Sequence, residues 1–100
     1  MGFKLSLSFF VGMITFVLTL LLVTAGAAIG AATPGVAFAA WLLLGQAFAL
    51  LSLYFGFAQA HATFEQKPLL AFHATGYQLL FAAPALLITG FAVHHYTAIL

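Results

Sequence analysis

The chain of 100 residues is 66% hydrophobic and only 3% charged, with a formal net charge of +1. A soluble domain carries about a quarter charged residues because water must solvate its surface, so this composition excludes the soluble globular class. The near-neutral charge argues against a nucleic-acid partner, which needs a basic patch. The lack of cysteine excludes disulfides, iron–sulfur clusters and thiolate zinc sites.

Three long apolar stretches follow one another along the chain, at about 9–29, 36–58 and 69–93. Each is long enough for a helix to cross a hydrocarbon core of ~30 Å at ~1.5 Å per residue. The first break, at 33–35, is a Thr-Pro-Gly turn signal, and the second, at 59–68, holds the only dense polar cluster. Lipid cannot satisfy open backbone groups. The sequence therefore predicts an all-α integral membrane protein, one domain of three transmembrane helices with short loops.

The first apolar stretch also resembles a secretory signal, because the small residues Ala25, Gly26 and Ala27 follow its apolar run. The run is longer than the usual signal core of about 7–15 residues, so we expect it to be retained as a span. Gly26 and Gly30 form a GxxxG pair, whose glycines share one helix face and let another backbone approach. The pair predicts a packing face for a neighbouring helix, either the second span or another protein.

The two lysines of the chain, Lys4 and Lys67, predict its orientation. With three spans, the N-terminus and the second loop lie on the same side of the membrane, so both lysines do. Basic residues favour the cytoplasmic side. We therefore expect the N-terminus and Lys67 to be cytoplasmic and the C-terminus to lie on the opposite side, in a bacterial inner membrane.

Two amides, Gln46 and Gln78, fall near the middle of the second and third spans. Because these spans are antiparallel, we expect the two amides to lie at similar depth. Each can then satisfy the other, which would hold the helix pair together by about 1 kcal/mol. The alternative is that one of them faces a ligand or a partner subunit.

The four histidines are the residues with the chemistry of a binding site: His61, His73, His94 and His95. His73 lies about one turn inside the third span, where an imidazole needs a partner. Imidazole is a common ligand for heme iron, so His73 is the candidate ligand for a heme or a chlorophyll-type pigment. Tyr77, one turn deeper, could bind a ring substituent, and His61 is the second candidate ligand because it returns to the same side. The alternative is that His73 is a satisfied interior residue, hydrogen-bonded to a carbonyl, a water or a lipid headgroup.

The remaining two histidines follow the third span and precede Tyr96. His94 and His95 project about 100° apart on a helix, and they lie at the water boundary. We expect them to anchor the helix end at the interface together with Tyr96. His61 and Glu65 share a helical face, but two ligands without a third are too few for a metal site.

Catalytic groups are scarce in this sequence. It has no nucleophile constellation and no carboxylate at mid-depth that could carry a proton or sodium ion. The outline is similar to the small three-span subunits of respiratory oxidases and photosynthetic assemblies. We therefore expect a noncatalytic accessory subunit of a larger energy-transducing complex, whose partners are other membrane subunits and lipids rather than a soluble substrate. The alternatives are a heme- or chlorophyll-binding protein and an oligomeric small channel or transporter.

Overall fold

The computed structural model describes residues 2–97, with side chains from residue 7 onward. These residues form three helices, α1 (Gly2–Ala32), α2 (Val36–Phe64) and α3 (Pro68–Tyr96), which run up, down and up. All three are long and apolar enough to cross a membrane. The predicted fold class, an all-α protein with three transmembrane helices, is confirmed.

The helices are longer than the apolar stretches that predicted them. They hold 31, 29 and 29 residues, and the bundle extends over 49 × 18 × 17 Å. A bilayer measures about 30 Å across its hydrocarbon core and about 40–45 Å with its headgroups. Hydrophobicity marks only the part of a helix in hydrocarbon, whereas the backbone hydrogen bonds continue through the headgroup layer. The bundle is therefore long enough to extend into both headgroup layers.

The turn between α1 and α2 depends on a proline followed by a glycine. Pro34 cannot continue α1, and Gly35 has φ +138°, a region that side chains with a Cβ rarely adopt. The Gly35 carbonyl accepts the N–H of Ala39 at 3.1 Å, the first bond of α2. The predicted turn at 33–35 is thus where the chain reverses.

The turn between α2 and α3 closes with a Schellman arrangement. The N–H of Lys67 donates to the Ala62 carbonyl at 2.9 Å, and that of Gln66 donates to the Thr63 carbonyl at 3.0 Å. Gln66 occupies the left-handed position with φ 56°. Pro68 then begins α3 in the first turn, where the backbone N–H has no acceptor within the helix and its absence in proline costs no hydrogen bond.

The interior of the bundle is small and polar, and its outer surface is apolar. The largest fully buried side chains are Phe38, Gln59, Gln78 and Ser52. Alanines and glycines fill most other inward positions of α2 and α3, while most leucines and aromatic rings face outward. Between helices in lipid there is no hydrophobic driving force, so close backbone approach and hydrogen bonds hold such a bundle together.

Candidate functional site

Two amides meet the backbone of α1 at Gly12. Gln78 is fully buried, and its Nε2 donates to the Gly12 carbonyl at 2.9 Å. A Cβ added at Gly12 would stand 2.5 Å from Gln59 Oε1 and 3.2 Å from Gln78 Oε1. Gly12 therefore provides the space that both amides occupy. Among the described residues, Gln78 Oε1 has no hydrogen-bond partner.

Gln46 reaches α1 in a similar way, nearer the C-terminal end of α1. Its Nε2 lies 3.5 Å from the Leu22 carbonyl, a long contact, and its amide lies against Gly26 where a Cβ would collide with it. The prediction that Gln46 pairs with Gln78 is therefore wrong, because both amides donate to carbonyls of α1. Each amide bonds to the α1 backbone rather than to the other amide.

The register of α2 against α3 explains this outcome. Gly45 packs against Thr89, and Gly56 packs against Gln78. Gly45, next to Gln46, is thus level with Thr89. Thr89 lies eleven residues, about three turns, beyond Gln78 on α3. Gln46 and Gln78 each lie near the middle of their apolar stretch, but they lie at different depths in the bundle.

The GxxxG face of α1 lies against α2 of the same chain. A Cβ at Gly26 would collide with the Gln46 amide, and a Cβ at Gly30 would stand 2.6 Å from Leu42 Cδ2. Of the two neighbours that the sequence left open, the second span is the one that occupies this face. The glycine pair is part of the fold.

Buried hydroxyls complete the polar interior. Ser52 Oγ donates to the Gln78 carbonyl at 2.8 Å and so ties α2 to α3. Thr75 Oγ1 lies 2.9 Å from the Ala71 carbonyl and 3.4 Å from that of Ser8, on α1. Ser52 and Gln78 therefore join helices, whereas Thr75 bonds mainly within its own helix.

The candidate ligands His61 and His73 both lie on the outer surface. His61 Nε2 lies 2.6 Å from Glu65 Oε1, and both side chains are exposed. His73 is exposed on α3, where the ring of Phe72 lies 6.4 Å away. The expectation of an interior His73 is therefore wrong. Residues 7–97 contain no group of three His or carboxylate side chains that could hold a metal ion.

His94 and His95 are exposed in the last turn of α3. The His95 ring stacks on Phe91 at 5.3 Å with an interplanar angle of 8°, and it meets Tyr96 edge to face at 4.7 Å. Tyr96 in turn lies 6.1 Å from Phe38. This cluster is consistent with the predicted anchor at the helix end.

A row of aromatic contacts follows the outer junction of α2 and α3. We define the aromatic row as three rings of α2 and three of α3, namely Trp41, Phe48, Phe55, Tyr77, Phe81 and Phe91. Contacting rings across the junction have centroids between 5.2 and 6.2 Å apart. Most of these pairs are stacked, with Phe55 and Phe81 at an interplanar angle of 7°.

The aromatic row stays partly uncovered. Trp41, Tyr77 and Phe91 are between 42% and 51% exposed, and the other three rings are half-buried. Among the side chains described, α1 adds no ring to the row, since it contacts α2 through Phe16–Phe57 and Phe9–Phe64 instead. The three rings on α2 are spaced seven residues apart, and this spacing is the sequence signal that could have identified the row.

The fold and these surfaces define a three-span helical membrane protein with a polar, glycine-lined interior and an aromatic outer row. No protein family, curated protein or solved structure matches this chain. Its function is therefore inferred from its own geometry.

Proposed function

We propose that this protein is a noncatalytic accessory subunit that binds a larger energy-transducing membrane complex, respiratory or photosynthetic, in the plane of the lipid. The observation that carries the proposal is the aromatic row, a set of ordered and partly uncovered rings along one side of the bundle. Rings of a partner helix, or of pigments in a partner, would complete the packing of this surface.

The row is well suited to binding because each of its rings already contacts a ring of the other helix. Association in lipid depends on van der Waals packing, and aromatic pairs add about 0.5–1.5 kcal/mol beyond the area that they bury. Phe55 is stacked between Tyr77 and Phe81, with centroids 5.2 and 5.5 Å away, so little side-chain freedom remains to be lost on docking.

The short loops support a partner within the membrane. The turns comprise only residues 33–35 and 65–67, so the described chain has little surface outside the bilayer. The buried Gln78 amide and the Ser52 hydroxyl bind the helices to one another. The alternative of a small channel or transporter would therefore place its conducting path between several copies of the chain.

Photo-crosslinking in native membranes tests the proposal. A photoreactive phenylalanine at Tyr77, in the aromatic row, should crosslink to a subunit of a complex that carries heme or chlorin absorbance on a native gel. The same probe at Phe10, an exposed ring on α1, is the matched control and should not. Crosslinks only between copies of this chain would favour the channel alternative and contradict the proposal.

A second candidate function is the binding of a heme or a chlorophyll-type pigment through His73. The exposed imidazole lies four residues before Tyr77 on α3, so it borders the aromatic row and could donate a ligand to a group held between this chain and a partner. His61 is the second candidate ligand, and it would have to leave Glu65. His73→Leu should then abolish a Soret or chlorin band while the protein still inserts. A colourless wild-type complex would contradict this candidate.

We also propose that the protein resides in a bacterial inner membrane with its N-terminus in the cytoplasm. Support comes from Lys4, in the first turn of α1, and Lys67, which directly precedes α3. Because α1 and α3 run in the same direction, both lysines belong to one end of the bundle, and basic residues favour the cytoplasmic side.

A further inference from the structure

A groove separates α1 from α3 at the end of the bundle where both helices begin. It has a volume of about 690 Å³. Its floor is made of small side chains, Ser8 on α1 and Thr75 and Gly76 on α3. Apart from the two chain neighbours of Gly76 and the nearby backbone of α3, no described heavy atom lies within 4 Å of where a Cβ on Gly76 would stand. Small residues therefore leave open a space that larger side chains would fill.

The groove is suited to hydrocarbon. Thr75 Oγ1 is occupied by the Ala71 carbonyl at 2.9 Å, so the floor offers little unpaired polarity. The walls include Leu69 and Phe72, which are 70% and 61% exposed and open the groove sideways to the lipid. An apolar chain can enter it from the bilayer without leaving hydrocarbon.

The groove is elongated along the helix axes. Pro68 and Leu79, at its two ends on α3, are about 17 Å apart at ~1.5 Å per residue. An extended acyl chain can therefore lie along the groove, parallel to α1 and α3.

Both lysines of the chain lie close in sequence to residues that line one end of the groove, its mouth. Lys67 directly precedes the lining residue Pro68, and Lys4 lies one turn before the lining residue Leu7. These are the two Lys or Arg residues of the whole chain. The N-termini of α1 and α3 lie at the same end, and their dipoles add partial positive charge.

Glu65 is the negative group nearest to this mouth. Its Oε2 lies 3.9 Å from Lys67 Nζ, while its Oε1 lies 2.6 Å from His61 Nε2. The Lys67 side chain is 57% exposed, and an exposed pair at this distance contributes little. Lys67 therefore remains available to an anion at the membrane surface.

We propose that this groove is a binding site for an anionic phospholipid. One acyl chain lies in the groove between α1 and α3, and the phosphate lies at its mouth beside Lys67. The site is independent of the aromatic row and of any partner that binds there.

Native mass spectrometry of the purified full chain tests the site with phosphatidylglycerol and phosphatidylcholine as probes. Wild type should retain phosphatidylglycerol, and Gly76→Leu, which fills the groove, should reduce that retention at least fivefold. Gly90→Leu is the matched control, because a Cβ at Gly90 likewise meets no described heavy atom within 4 Å beyond its chain neighbours and the nearby backbone of α3. It should retain lipid as wild type does, and an unchanged helical circular dichroism spectrum should show that all variants are folded.

The headgroup part of the proposal has its own test. Lys67→Gln should reduce the preference for phosphatidylglycerol over phosphatidylcholine about fivefold, equivalent to about 1 kcal/mol per lysine near an anionic surface. Lys67→Arg should restore the preference. Equal retention of both lipids by wild type would overturn the anionic selectivity. Full retention by Gly76→Leu, or a dimer that Gly76→Leu abolishes, would overturn the lipid site.

Discussion

At the scale of single residues, glycines and glutamines act as pairs in this protein. Each of the glycines at positions 12, 26 and 56 faces a glutamine amide so closely that a methyl group would collide with it. Outside a membrane, a glycine within a helix usually weakens it by about 1 kcal/mol relative to alanine. Here the missing side chain leaves room for an amide. Gln78 and Gln46 reach carbonyls of α1, and Gln59 donates to Thr63 Oγ1 of its own helix.

This pairing predicts that Gly12→Ala destabilises the bundle. The new Cβ would stand 2.5 Å from Gln59 Oε1 and 2.8 Å from Gln59 Cδ, so the amide must move away from its present contacts. We expect a loss of about 1–3 kcal/mol in the free energy of unfolding, measured by SDS titration in mixed micelles.

Gly90→Ala is the control for Gly12→Ala, because the space around Gly90 is open among the described residues. It should leave the free energy of unfolding unchanged or raise it by up to about 1 kcal/mol. If both variants unfold at the same SDS fraction, the close contact at Gly12 has no energetic weight.

At the scale of helices, α1 is held to the α2–α3 pair through two glycine faces. Gly12 receives amides near the beginning of α1, and Gly26 and Gly30 pack on α2 near its end. Because the face of Gly26 and Gly30 packs within the chain, substitutions there should disturb the packing of α1 on α2 rather than the binding of a partner protein.

We expect Gly26→Leu to separate α1 from α2, since the leucine must displace the Gln46 amide. Phe16 and Phe57, whose rings lie 5.1 Å apart, report on this separation when both are replaced by cysteine and joined by a short thiol linker. The crosslinking yield should fall at least twofold in Gly26→Leu. An unchanged yield would mean that α1 stays on α2 without this face.

Much of the element-level description could be predicted from the sequence, but the facing of individual side chains could not. Hydrophobic stretches and the Pro34-Gly35 turn gave the number and order of the helices. Apolar residues surround these helices on all sides, so hydrophobic periodicity does not reveal which face is buried. His73 was accordingly placed in the interior, although it is exposed, and Gln46 was paired with the wrong helix.

At the scale of the whole molecule, an odd number of spans places the two ends of the chain on opposite sides of the membrane. We predict that cysteine at Ser6 reacts with an impermeant maleimide only from the cytoplasmic side. Cysteine at Thr97 should react from the outside of intact cells. Labelling of both positions from one side would contradict the three-span arrangement and the proposed orientation together.

The direction of the interhelical amide bonds has a consequence for biogenesis. The donors are side chains of α2 and α3, and the acceptors are backbone carbonyls of α1. The threonines Thr19 and Thr24 of α1 bond to carbonyls of their own helix, so α1 can enter the bilayer without waiting for a companion. It is also the most hydrophobic span and the first to leave the ribosome. With α1 inserted first, Gln46 of α2 and Gln78 of α3 would each enter a membrane that already holds the carbonyl to which its amide donates.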